Sequence, residues 1–214
     1  MNLDWHIIWE YRSDLLQGFV LTLQLSLVAI AGASLLGTLV GCLRASGGFL
    51  ARRLTALYVE LLRNIPIVVK LFLAHFILGI DALPAGIAAL ILHQSAYVAD
   101  VTAAGLRSIP SGQSDAALAL GLSRWRSFCL VLLPQAARAM MPPMTTQYTQ
   151  IVKNSSVVML VALQELTFMT QRIEHETFRG LEAATTATVL YAAMALAIAA
   201  AMSGVERALE RRGA

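Results

Sequence analysis

The strongest constraint on this chain is a long stretch without charge near its beginning. From Leu15 to Leu43 the sequence contains no Asp, Glu, Lys or Arg, and this run exceeds the roughly 20 residues that a helix needs to cross hydrocarbon. A similar run covers Ala183 to Val205. Only 14% of the 214 residues are charged, while 57% are hydrophobic, and soluble domains carry about a quarter charged residues. The sequence therefore predicts an all-α protein whose main solvent is lipid.

Apolar stretches alternate with short polar loops over one domain, residues 1–214. The predicted membrane spans are 15–43, 54–80, 85–107, 134–153 and 183–205, about five in all, with a polar loop at 108–133. Pro66 is expected to kink the second span, because proline removes a helical hydrogen bond. Pro142 and Pro143 predict a break in the fourth span for the same reason.

Arginines in the loops predict the orientation, since cytoplasmic loops carry an excess of Lys and Arg. The arginines on the side of the 108–133 loop are Arg44, Arg52, Arg53, Arg107, Arg124, Arg126, Arg207, Arg211 and Arg212. The other side has only Arg12, Arg172 and Arg179, among several carboxylates. This asymmetry predicts an N-terminus outside the cell membrane, in the periplasm, and a C-terminus in the cytoplasm.

The 108–133 loop contains one segment that predicts a short helix displayed to the cytoplasm. We expect Ser114 to cap it and Asp115 to lie at its positive end. Gly121 is expected to end it in the left-handed conformation. The residues predicted to contact a partner are Ser114, Asp115, Ala116, Ala117, Leu118, Leu120 and Gly121. So short a helix is unstable alone; it needs a groove on another protein or, alternatively, the membrane surface or this chain's own helices.

The same loop resembles the EAA loop of ABC-importer permeases. The similarity rests on Gly112-Gln113-Ser114-Asp115-Ala116-Ala117, followed by Gly121, Phe128 and Leu133-Pro134; the family usually has Glu in place of Asp115. Three further segments look like the polar-amino-acid (histidine/glutamine type) permeases. They are Glu60-Leu61-Leu62-Arg63-Asn64-Ile65-Pro66, Ser95-Ala96-Tyr97 with Asp100, and Lys153-Asn154-Ser155-Ser156.

The resemblance implies a type I ABC importer permease in the bacterial inner membrane. It implies an amino-acid substrate, a second permease that is the same or a sister chain, a dimer of cytoplasmic ABC ATPases and a periplasmic substrate-binding protein. The loop helix would sit in an ATPase cleft and relay its closure to the spans. ATP and Mg would be bound by the ATPase, so no cofactor, metal or catalytic residue is expected in this chain.

Ionisable groups inside apolar spans are functional candidates, because an unpaired charge at mid-bilayer costs several kcal/mol. Glu60 and Arg63 recur at helical spacing in the second span, where a pair that only docks helices is the alternative. In the fourth, Lys153 precedes an amide and two hydroxyls, a set of groups that suits a zwitterion. The resemblance to the polar-amino-acid permeases implies that Arg63, Tyr97, Lys153, Asn154 and Ser155 lie near the pathway, and Glu60, Asp100 and Gln150 complete the predicted pathway residues. We expect Gln164 and Glu165 to form a binding-protein contact or a solvated turn.

Other functions find less support in the sequence. There is no glycine-rich phosphate loop, and the four histidines lack metal-ligand spacing. A helix-turn-helix at 116–128 would be pinned between two spans, which argues against nucleic-acid binding. An ion-coupled secondary carrier, or an intramembrane enzyme with Asp100 and His93 as its acid–base pair, remains an alternative.

A reporter fused at Gly112 tests the predicted orientation. A reporter that is active only in the cytoplasm should give signal there, because the arginine-rich loops are expected inside. Activity of a reporter that works only in the periplasm would contradict it.

Overall fold

The computed structural model describes residues 3–211, which form helices and turns without a strand. The α-helices are α1 (His6–Glu10), α2 (Arg12–Ser46), α3 (Phe49–Asn64), α4 (Ile67–Phe72), α5 (Ala82–Arg107), α6 (Ser111–Ala119), α7 (Arg124–Ser127), α8 (Leu133–Asn154), α9 (Leu166–Thr177) and α10 (Gly180–Arg211). Two π-helical turns, Leu73–Ile77 and Phe128–Leu132, follow α4 and α7, and a 3₁₀ helix, Ser155–Val161, follows α8. Arg212, one of the predicted cytoplasmic arginines, lies outside the described residues.

Three helices among residues 3–211 are long and apolar enough to cross a membrane. They are Arg12–Ser46, Ala82–Arg107 and Gly180–Leu209. A fourth candidate is the pair Arg124–Val161 and Leu166–Thr177, which is bent by 53°. The predicted all-α membrane protein is thus confirmed, whereas the count of five spans stays a prediction.

The second predicted span, 54–80, is not one helix in the structure. The helix α3 ends at Asn64, and Pro66 adopts an extended conformation (φ −56°, ψ 145°) before α4 begins. The kink expected at Pro66 is therefore a complete break. A proline disfavours helix in the residue before it, which accounts for the end of α3.

The helix α8 behaves differently from the prediction, because Pro142 and Pro143 lie inside it without breaking it. The missing amide hydrogens leave two carbonyls of the preceding turn without their usual partner. Buried packing compensates, since Ala136, Met140 and Met144 of α8 belong to one apolar cluster with Val98 of α5. The predicted break at the two prolines is wrong for that reason.

The chain divides into two compact units, each with its own core. The first unit comprises 3–32, 65–92 and 149–197, and the second comprises 33–64, 93–148 and 198–211. The core of the first unit includes Leu71, Ala85, Ala89 and Val161. The second has the α8 cluster and another formed by Val59, Ala96 and Ala99.

Close approach of α2 and α5 in the second unit depends on two glycines. A Cβ added to Gly37 would lie 2.7 Å from the carbonyl oxygen of Ser95, and one added to Gly41 would lie 2.7 Å from that of Ala99. Small residues four apart allow helix backbones to approach in a membrane, where packing drives association. Gly37 and Gly41 therefore set the spacing between these helices.

Replacing Gly37 by isoleucine should destabilise the chain, because the new side chain would collide with the backbone of α5. We expect about 1–3 kcal/mol, as for other overpacked sites, or a drop of about 5 °C in the apparent unfolding midpoint in detergent. The matched control is Gly204→Ile in α10, where an added Cβ meets nothing within 4 Å. Equal midpoints for the two variants would contradict the close approach.

Candidate functional site

The loop helix α6 begins earlier than expected. Pro110 is its N-cap residue, with an extended backbone and no side-chain cap, and the helix starts at Ser111. Ser114 is therefore inside the helix and does not cap it, and Asp115 lies beyond the first turn. Both expectations were wrong because the fixed backbone angle of Pro110 already suits the residue that precedes a helix.

The end of α6 agrees with the sequence prediction. Gly121 is left-handed, with φ +82°. Its amide donates to the carbonyl of Leu118 at 2.9 Å, and the amide of Leu122 donates to that of Ala117 at 3.1 Å. This pair of bonds is the Schellman motif, which satisfies the last carbonyls of the helix. The role predicted for Gly121 in ending the helix is confirmed.

One side of α6 packs on its own chain and another stays open. Ala117 is buried, and the helix contacts α7 and the π-helical turn Phe128–Leu132. Leu120 is 85% exposed and Trp125 of α7 is 73% exposed, with Leu118 at 40%. We call Leu118, Leu120 and Trp125 the loop surface. Several large apolar side chains exposed on one short polar loop are typical of a protein contact.

Predicted pathway residues from two spans meet around Asp100 in the second unit. One carboxylate oxygen binds the guanidinium of Arg63 from α3, and the other binds that of Arg44 from α2. The Arg63 guanidinium also lies 5.0 Å from the ring centre of Tyr97. The Tyr97 ring meets His93 edge to face at 5.3 Å. We call Arg44, Arg63, Tyr97 and Asp100 the Asp100 cluster.

The cluster corrects two sequence interpretations. Arg63 binds Asp100 rather than Glu60, which is exposed on α3, so the structure does not contain the predicted alternative pair. Arg44 was counted among the loop arginines, yet its side chain is only 23% exposed and completes the cluster. No pattern in the sequence pairs Arg44 with a residue so far along the chain. Two guanidiniums on one carboxylate leave the cluster with net positive charge.

The remaining predicted pathway residues lie in the first unit, near the end of α8. Lys153 and Gln150 are exposed, and Asn154 is half-buried. Ser155 is fully buried, and its hydroxyl donates to the carbonyl of Val152 at 2.6 Å. The hydroxyl of Ser155 is therefore bound to the last turn of α8.

Lys153 lines a groove between α9 and α10. The groove has a volume of about 560 Å³, and its other polar lining residues are Thr167, Thr170, Gln171, Glu174, Thr188 and Tyr191. Alanines of α10, among them Ala184 and Ala187, form the rest and leave room for a small molecule. The groove surface is mainly apolar, and its polar groups are one cation, one anion and several neutral donors and acceptors.

Glu165 was expected at a solvated turn or in a contact with another protein, and the structure shows otherwise. Its side chain is fully buried, and one oxygen accepts the amide of Phe168 at 3.0 Å at the start of α9. The other accepts the hydroxyl of Tyr191 at 2.6 Å. Gln164 is exposed, as expected. Glu165 is the N-cap residue of α9, a position where Ser, Thr, Asp or Asn is the usual signal, so the sequence did not mark it.

Comparison with known proteins decides the family. Residues 33–213 match the family described as the inner membrane component of binding-protein-dependent transport systems. The chain belongs to that family. As a permease of this kind, it is a transport component of the inner membrane that works with an ATPase and a binding protein.

The permease has full-length relatives and a close structural match. It is 35% identical to the glutamine transport system permease protein of Escherichia coli, over 99% of this chain and 98% of that protein. It is 29% identical to a probable glutamine ABC transporter permease protein of Bacillus subtilis, over 96% and 97%. A crystal structure of an amino acid ABC transporter with histidines matches with a TM-score of 0.86 at 27% identity, over 97% of this chain and 99% of that one. The type I importer permease fold is thereby confirmed.

Replacing Asp100 by asparagine should destabilise the permease, because two guanidiniums would lose their shared carboxylate. Charge-assisted hydrogen bonds of this type are worth about 2 kcal/mol, so the unfolding midpoint in detergent should fall clearly. Asp81→Asn, at an exposed turn, is the matched control. A midpoint for Asp100→Asn equal to that of the control would show that the ion pairs carry no stability.

Proposed function

We propose that this permease imports a polar amino acid and is driven by an ATPase that binds the loop surface. The observation that carries the proposal is the exposure of Leu118, Leu120 and Trp125 on a short loop between membrane helices. A groove on the ATPase would cover these side chains. The amino-acid substrate is inferred from the relatives, two of which are glutamine permeases.

Contacts behind the loop surface explain how force on α6 would reach the spans. The amide nitrogen of Gln135 in α8 donates to the side-chain oxygen of Gln113 in α6, at 3.3 Å. Buried Ala117 holds the other side of α6 on its own chain. The helix α8 is 22 residues long and carries Lys153 in its last turn. Movement of α6 would therefore be transmitted along a helix that bears a predicted pathway residue.

The complete importer would contain two permeases, identical or sister chains, with two cytoplasmic ATPases and a periplasmic binding protein. ATP and Mg would be held by the ATPases, and this chain would perform no covalent chemistry. The N-terminus would lie in the periplasm and the C-terminus in the cytoplasm, as the loop arginines predict.

The Asp100 cluster favours transport over the enzyme alternative. Both carboxylate oxygens of Asp100 are bound by guanidiniums, so the carboxylate is poorly placed to exchange protons with His93. Net positive charge beside Tyr97 would instead attract the carboxylate of a passing amino acid. A secondary carrier would differ in its energy source, because uptake would follow an ion gradient without ATP.

Replacing Gly121 by valine should abolish ATP-driven uptake while the permease stays in the membrane. A β-branched residue in the left-handed conformation costs at least about 1–2 kcal/mol, so the end of α6 should rearrange and the loop surface should lose its shape. Uptake of radiolabelled glutamine into vesicles containing the whole importer should fall about tenfold or more.

Gly112→Val is the matched control, because an added Cβ at Gly112 meets nothing within 4 Å and its φ is not positive. Wild-type uptake by Gly121→Val would count against the loop surface as the ATPase contact. Uptake by the wild type that needs an ion gradient and no ATPase would overturn the importer itself.

A further inference from the structure

A groove lined by three helices of the first unit, α1, α2 and α10, has a volume of about 340 Å³. Apart from Arg12 and one threonine, the described residues that line it are apolar or aromatic, and they include Ile8, Leu16, Phe19 and Leu190. Both α2 and α10 are long and apolar enough to cross a membrane, so hydrocarbon is the expected solvent around them. We call this the N-terminal groove. Its lining suits a hydrocarbon chain, and Arg12 supplies its charge.

Two contacts with Trp9, another lining residue, hold the head group of Arg12 in place. The nitrogen Nη1 of Arg12 donates to the backbone carbonyl of Trp9 at 2.7 Å, and the guanidinium carbon lies 4.9 Å from the centre of the Trp9 ring. A cation over the face of an indole is attracted by the ring. A guanidinium has five N–H donors and the carbonyl uses one of them, so the others can bind a further acceptor.

The two carboxylates nearest to Arg12 in sequence are turned to other partners. An oxygen of Glu10 lies 3.2 Å from Nδ1 of His6, and an oxygen of Asp14 lies 3.9 Å from a guanidinium nitrogen of Arg172. Within residues 3–211, Arg12 forms no ion pair with a carboxylate. A cation beside an apolar groove is stabilised by an anion, and the expected source of that anion is a molecule outside the chain.

A phospholipid combines the two features that the groove requires, a hydrocarbon chain and an adjacent phosphate. Arginine binds phosphate oxygens well, because its parallel N–H groups match two of them. Tryptophan is enriched at the level of the lipid head groups, and Trp5 and Trp9 are 50% and 67% exposed at this end of the chain. Arg12 is therefore expected at the depth of the phosphates. Leu16 and Phe19 follow it by about 6 and 10 Å along α2, in the direction of the hydrocarbon.

We propose that the N-terminal groove binds a membrane phospholipid, with the phosphate on Arg12 and one acyl chain against Leu16, Phe19 and Leu190. A second permease chain is the other large apolar occupant to consider, but a transmembrane helix would leave the guanidinium without an anion. With the N-terminus in the periplasm, the lipid would come from the outer leaflet of the inner membrane. The site concerns the membrane rather than the solute, so it does not depend on the proposed import of amino acids.

A general anchor at the membrane surface would not account for this arrangement. An arginine near the end of a span commonly extends its head group into the water, and such an anchor has no preference for one class of lipid. The guanidinium of Arg12 is instead held against Trp9, which lines the groove. A phospholipid site therefore predicts a preference for lipids that carry a phosphate, and a general anchor does not.

The test uses the complete importer in nanodiscs of phosphatidylcholine that contain a trace of one photoreactive lipid. Three probes carry the same photoreactive acyl chain, namely phosphatidylglycerol, phosphatidylethanolamine and diacylglycerol, which has no phosphate. After illumination, mass spectrometry measures the labelling of the peptides that contain Leu16 and Leu190. Both phospholipid probes should label these peptides about fivefold more than diacylglycerol, as expected for one favourable contact between an arginine and a phosphate.

Two variants separate the head-group contact from the acyl-chain contact. Arg12→Gln should abolish the preference for the phospholipid probes, because the phosphate loses its partner while the apolar lining stays. Leu16→Trp should lower labelling by all three probes, because the larger side chain occupies the groove; Leu16 is 62% exposed, so the fold can accept the change. The matched control is Arg53→Gln, since Arg53 is also an exposed arginine over an aromatic ring, that of Phe49 at 5.2 Å. It should leave the preference unchanged.

Equal labelling of the wild type by the three probes would overturn the proposal, as would an unchanged preference in Arg12→Gln. A photoreactive amino acid in place of Leu16 that crosslinks to a second permease chain rather than to lipid would overturn it as well, because the groove would then be a contact between permeases. The comparison of probes in the wild type decides the question even if Arg12→Gln fails to assemble. Absence of ATP-driven uptake in the wild type would instead remove the proposed function and leave the lipid site untouched.

Discussion

A polar or charged side chain in hydrocarbon must find its partners within the protein, and most of the contacts that organise this permease meet that demand. Asp100 binds an arginine with each carboxylate oxygen. Gln94 is buried and donates to the side-chain oxygen of Gln147 at 2.6 Å. Glu165 is buried among donors rather than cations. Each case joins different helices, so the need to satisfy polar groups also fixes which helices are neighbours.

The side chains of the loop surface are apolar and need no hydrogen-bond partner. They can therefore remain exposed. Between Pro110 and Gly121 the chain forms a helix whose beginning and end are both set by local backbone preferences. Leu120 and Trp125 then remain exposed without help from the rest of the fold. The loop surface depends on local backbone structure, and buried Ala117 holds it on the rest of the chain. It could therefore move as a rigid unit, as the proposed mechanical contact with an ATPase requires.

Asp100 and Glu165 both carry a carboxyl group, but the two groups have different roles. Asp100 neutralises arginines and stabilises the packing of α2, α3 and α5. Glu165 instead binds neutral groups, the amide of Phe168 and the hydroxyl of Tyr191, and so joins the start of α9 to α10. Glu165 also lies at the N-terminal end of α9, where its side chain caps the helix.

The sequence by itself determined the membrane class, the family resemblance and the left-handed end of α6, because hydropathy, short motifs and glycine conformation are local properties. It also located Arg63 and Asp100, since charges in apolar spans are conspicuous, and Tyr97 through the family resemblance. Only the tertiary structure decided that Arg44 joins Asp100, that α8 continues through two prolines and that Glu165 is buried against Tyr191. These outcomes depend on contacts between residues far apart in the chain, and no local pattern specifies which distant partner will satisfy a given group.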